Sequence, residues 1–89
     1  MSQPYLEVTY RGGKPLAAYL YLARQPGDTT SRSEPIDDVL VVDRAADGRP
    51  IGIEILDPKA VTLDRLNELL RGLQQPEIED RELAPLQVA

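Results

Sequence analysis

The sequence predicts a small α+β domain, an antiparallel meander sheet of about four strands with one C-terminal amphipathic helix packed on one face. Three observations lead there. Short segments of alternating or continuous apolar character are separated by turns containing Gly, Asp and Pro. A leucine repeat at helical spacing follows the last of these segments. The 89 residues give room for one domain and not for two.

Tyr5 to Tyr10 alternate, with Leu6, Val8 and Tyr10 on one side and Tyr5, Glu7 and Thr9 on the other, which is the period of a strand. Arg11-Gly12-Gly13-Lys14 reads as a hairpin turn, because paired glycines supply the positive φ that such turns require. Leu16 to Ala23 forms a second strand that is apolar on both sides. Leu16, Ala18, Leu20 and Leu22 point one way, and Ala17, Tyr19, Tyr21 and Ala23 the other. Arg24 to Pro35 is polar and rich in turn formers, a loop whose second half is a candidate edge segment before Ile36.

Val39 to Val42 is a continuous aliphatic run, which suits a strand buried on both faces. Asp43 to Pro50 reads as the next turn, pivoting on Asp47-Gly48. Ile51 to Leu56 is the last strand, with Ile51, Ile53 and Ile55 on one face. Asp57-Pro58 ends it, since proline has no N–H to give to a ladder.

A helix follows. Thr62 is placed as its N-cap, Asp64 complements the dipole in the first turn, and Val61 with Leu66 forms a hydrophobic staple. Leu63, Leu66, Leu70 and Leu73 recur at helical spacing, and Gly72 marks the end. The predicted organisation is a single domain over residues 1–73 and an acidic, flexible tail over 74–89. The alternative for the tail is a short helix over Glu77 to Leu83 that docks on a partner.

Composition narrows the chemistry. The chain has no Cys and no His, so it has no disulfide framework, no thiol nucleophile and neither of the favoured zinc donors. Net charge is −5, which argues against nucleic acid, and the basic residues are interleaved with acids and turns. No apolar run is long enough for a membrane span, and the N-terminal residues lack the basic-then-apolar pattern of a signal peptide. A cytoplasmic chain with no cofactor is the expectation.

Only the acids Glu34, Asp37, Asp38, Asp43, Asp47, Glu54 and Asp57 could carry chemistry, by acid/base work or by holding a hard cation. Their plainer role is in turns and strand entries, and Asp37 and Asp38 face opposite sides of any regular strand. Glu54 lies opposite Ile53 and Ile55. A functional role requires it to sit in a cleft with a raised pKa. Otherwise it faces solvent or a second subunit, paired with an arginine such as Arg44 or Arg49. Tyr19 and Tyr21 share one face of the second strand, for packing or for a ligand.

The stretches Tyr10, Ala17-Ala18-Tyr19-Leu20, Ile36-Asp37-Asp38 and Val41-Val42-Asp43 lead into a run from Asp47 to Asp57 that contains Gly52-Ile53-Glu54-Ile55-Leu56. Together they resemble a small bacterial domain-of-unknown-function family, DUF2283, over roughly residues 5–60. The Gly-Ile-Glu-Ile-Leu segment is the most specific part. Arg11 departs from that pattern, where an acid usually follows the tyrosine, and so does Ala18, where a larger aliphatic is usual. The resemblance implies a fold and no activity.

Two classes of function stay open. One is a non-catalytic, self-associating module that acts through protein–protein interaction, dimerising on the apolar sheet face the helix leaves bare. The other is a small-molecule or cation-binding domain, or a carboxylate enzyme. Tyr19, Tyr21, Asp38, Glu54 and Asp57 are the candidate partner or ligand surface; no catalytic, cofactor or metal residue is assigned.

Overall fold

Turn residues set the strand boundaries. Gly12 and Gly13 take φ of 60° and 79°, so the chain reverses in two residues between β1 (Tyr5–Arg11) and β2 (Lys14–Tyr21). A polar loop leads to β3 (Arg32–Pro35), the edge segment anticipated before Ile36. β4 (Leu40–Arg44) and β5 (Pro50–Ile55) are joined by a turn in which Gly48 adopts φ 91°. The computed structural model describes residues 5–79 and 81, and it joins these five strands in one antiparallel sheet of order β1-β2-β5-β4-β3.

The fold class is as predicted, but the order is not a meander in sequence. β5 inserts between β2 and β4, and β3, β4, β5 and β2 together make a Greek key. Register shows why. Leu20 sits opposite Ile53 and Ala18 opposite Ile55, while Val42 and Leu40 oppose the same two isoleucines from the other side. Placing β5 at the centre stacks the apolar rows of three strands on one face and leaves the polar β3 at the rim.

One residue of the second strand is out of step. Thr9 pairs with Ala17 and Tyr10 with Pro15, which leaves Leu16 as an extra residue in β2. This bulge takes Leu16 out of the row formed by Ala18, Leu20 and Leu22 and leaves it 52% exposed.

After β5, Asp57 caps a short 3-10 turn over Pro58–Ala60 by accepting from the Lys59 N–H. Helix α1 (Leu63–Gly72) starts as predicted, with the Thr62 hydroxyl oxygen accepting from the Arg65 N–H at 3.1 Å. Its Leu66 and Leu70 are fully buried with Leu20, Val42, Ile53 and Ile55. Each such side chain contributes roughly 1.5–3 kcal/mol of burial. Gly72 is the last helical residue, but the left-handed position falls on Gln74, at φ 59°. The Gln75 N–H then reaches the Leu70 carbonyl at 2.8 Å and the Gln74 N–H that of Arg71 at 3.0 Å, closing a Schellman motif.

The chain stays packed beyond residue 73. Buried Asn67 donates to the Ile78 carbonyl at 3.0 Å and accepts from the Ile78 N–H at 2.8 Å, and Ile78 enters the core at 5% exposure. The first part of the expected tail is therefore continuous with the domain. Glu77, Ile78 and Glu79 are not helical. Most of the remaining tail, and the end of the short helix considered over 77–83, lies outside the described residues.

Candidate functional site

Strand alternation decides what the second face of the sheet carries. Val41, Asp43, Gly52, Glu54, Tyr19, Tyr21, Tyr5 and Glu7 are brought onto it by the pairings Asp43–Gly52–Tyr21–Tyr5 and Val41–Glu54–Tyr19–Glu7. The apolar open face expected from the sequence is thus corrected. Asp43 and Glu54 stand on its inner strands and Glu7 on its outer one, so the face is polar at its centre. Asp43, read as the start of a turn, instead lies within β4 and is 6% exposed.

Asp43 is the hub. Its Oδ2 accepts from the Tyr19 hydroxyl at 2.9 Å and its Oδ1 from the Ser33 hydroxyl at 2.7 Å. Glu54 is its third neighbour. A hydrogen bond to Asp43, burial and the like charge of Asp43 together push the Glu54 carboxyl above the usual glutamate range. The arginine partners expected for Glu54 are engaged elsewhere. Arg44 pairs with Glu34 at 3.0 Å, and Arg49 with Asp28 at 2.8 Å and Asp47 at 2.6 Å.

The tyrosines form the wall beside this acid pair. Tyr5 stacks on Tyr21 with centroids 4.5 Å apart, and Tyr19 meets Tyr21 edge-on at 4.7 Å. Arg24, from the loop after β2, lies with its guanidinium carbon 5.1 Å from the Tyr21 centroid and 5.9 Å from that of Tyr19. It donates to the Tyr19 hydroxyl at 3.0 Å and to the Ile51 carbonyl at 3.1 Å. Burial, then the hydrogen bond to Asp43, raises the Tyr19 phenol well above its ordinary value, so it stays a neutral donor. Burial and Glu7, which accepts from the Tyr21 hydroxyl at 3.2 Å, raise Tyr21 as well.

These groups line an open pocket of about 480 Å³, bounded by Glu7, Tyr19, Tyr21, Arg24, Thr30, Asp43 and Glu54. Of the five surface residues named from sequence, Tyr19, Tyr21 and Glu54 meet here. Asp38 and Asp57 do not: Asp38 is exposed in the β3–β4 turn, and Asp57 caps the 3-10 turn. Asp43 is named among the acids able to carry chemistry but not in that surface, and Arg24, Ser33 and Glu7 are missed. The equal parity of Asp43 and Val41 was the available signal for Asp43. Nothing local marks Arg24, which reaches the site from a loop.

Among the described residues no group of three or more acids converges as a metal site would require, and no helix is long and apolar enough to cross a membrane. No curated protein and no solved structure matches the chain. Residues 17–59 match the family described as Protein of unknown function (DUF2283), a span that runs from β2 into the 3-10 turn and holds Tyr19, Arg24, Asp43, Gly52 and Glu54. Through the segment that carries its acid–tyrosine pocket, this chain is similar to the DUF2283 family.

Proposed function

We propose that the protein is a non-catalytic, cytoplasmic binding module that engages a protein partner by taking a basic side chain into the pocket on its open sheet face. The observation that carries this reading is the Asp43–Glu54 pair. Two adjacent carboxyls hold Glu54 above the usual glutamate range, and an incoming ammonium or guanidinium relieves that repulsion. Glu7 adds a third acid to the lining, against the single cation Arg24. The net charge of −5 draws a basic partner from a distance.

The shape favours a side chain on a protein surface over a free metabolite. Small-molecule sites are concave, mostly apolar and enclose their ligand. This pocket is open, and polar groups face into it. Catalysis is disfavoured by the state of its groups, since Tyr19 is held neutral and both Asp43 oxygens already accept hydrogen bonds.

Selection of a displayed random-peptide library on the full chain tests the reading. Peptides with arginine or lysine should be enriched, and Asp43→Asn with Glu54→Gln should abolish their binding. Enrichment without basic residues, or binding indifferent to both substitutions, would contradict it.

A further inference from the structure

The two edges of the sheet are built differently. β3 is four residues long and ends on Pro35, features that discourage strand addition. β1 is seven residues long and contains no proline, and among the described residues no strand pairs with its outer side. Tyr5 and Tyr10 on it are 58% and 52% exposed. A long edge without a blocking device is a template for another strand.

The residues along β1 also select the partner. Directly opposed residues of an antiparallel pair share a face, so only registers that pair like parities are allowed. With Thr9 facing Thr9 of a second copy, Glu7 meets Arg11 of that copy on the open face, twice by symmetry. Val8 meets Tyr10 on the helix face. Placing Val8 on the axis instead sets Glu7 against Thr9 and Arg11 against Tyr5, and both ion pairs vanish. Arg11 makes no ion pair among the described residues, whereas Arg44 and Arg71 each have one and Arg49 and Arg65 two.

We propose that two copies of this chain pair through β1, antiparallel and in the Glu7–Arg11 register, to form one continuous sheet. This replaces dimerisation on the open face, whose centre is polar. The two-fold axis stands perpendicular to the sheet, so both helices lie on one side and both pockets on the other. Glu7 lines the pocket and also sits on the seam, so the two pockets open on a single surface. A partner with two suitably spaced basic side chains would be bound bivalently.

Sedimentation equilibrium of the full chain, with the variants Glu7→Arg, Arg11→Glu and the double exchange, tests the interface. Each single reversal should weaken the dimer by about tenfold, since two cross-strand ion pairs become like-charge contacts. The double exchange should restore it. Circular dichroism of each variant establishes that it is folded, and amide exchange along β1 should slow with concentration in the wild type. A monomer at high micromolar concentration overturns the proposal, as does a dimer that ignores both reversals or a double exchange that does not recover.

Discussion

The phenolic end of Tyr19 occupies the volume that a side chain on Gly52 would fill. Tyr19 is paired across the strands with Glu54, two residues beyond Gly52 on β5, and leans diagonally over Gly52 to bring its hydroxyl to Asp43, the residue opposite Gly52 on β4. Glycine within a strand is unfavourable on its own account, and here it permits the close approach that joins three strands through one hydrogen bond. The Gly-x-Glu spacing of β5 therefore has a mechanical meaning. Gly52 makes room for the ring that closes one side of the pocket, and Glu54 supplies its floor.

Gly52→Ala should accordingly displace Tyr19 and destabilise the domain by about 1–3 kcal/mol, in the range of overpacking substitutions. In a Tyr19→Ala background the same change should cost little, because nothing is left to collide. Urea midpoints for the four proteins of this cycle give the coupling. Equal costs in both backgrounds would show that the ring does not depend on Gly52.

The raised Glu54 carboxyl has a defined consequence for stability. A group whose folded pKa lies above its unfolded value favours the folded state when protonated. Its contribution is complete below the unfolded pKa and is lost as pH rises through the folded one. Asp28, Asp37 and Asp47 are lowered by their hydrogen bonds and arginines, so they act in the opposite sense, losing stability as pH falls. Subtracting the Glu54→Gln pH profile from that of the wild type isolates Glu54. The wild type should lose stability relative to the variant as pH rises from the acid limb toward neutrality. A flat difference would mean that Glu54 is not held near Asp43.

Much of the local structure was legible because it is written in short-range chemistry. Paired glycines set the first hairpin, Thr62 set the helix start, and the isoleucine alternation set the buried face of β5. Strand order was not legible, because the choice between β4 and β5 as the neighbour of β2 rests on long-range matching of apolar rows. The pocket was half legible for the same reason. Tyr19, Tyr21 and Glu54 follow from alternation, but Asp43 looks like a turn residue until β3 extends the sheet and makes β4 an inner strand, with Ser33 beside its carboxyl.

The helix face gives a contrast in magnitude. Leu66→Ala removes a fully buried side chain and should cost about 2–5 kcal/mol. Glu68→Ala touches only an exposed pair with Arg65 and should cost about 0.5 kcal/mol or less. Chemical denaturation separates the two directly. Similar small losses would remove α1 from the core.

Asn67 offers a test of where the domain ends. Its side chain satisfies both backbone polar groups of Ile78 in a buried setting. Asn67→Ala should cost about 2 kcal/mol or more, since two buried groups lose their partners. It should also release the slow exchange of the Ile78 amide. A fast-exchanging Ile78 amide in the wild type would return that segment to the tail.

The acid pair Asp43–Glu54 is the proposed receptor for a cation, and the Glu54 side-chain carboxyl reports on it most directly. Its carbon resonance, followed by NMR through a pH titration, should show an apparent pKa above the ordinary glutamate range. Asp43→Asn should bring it down, and so should saturation with a selected basic peptide. An ordinary pKa that neither Asp43→Asn nor the peptide moves would contradict the account.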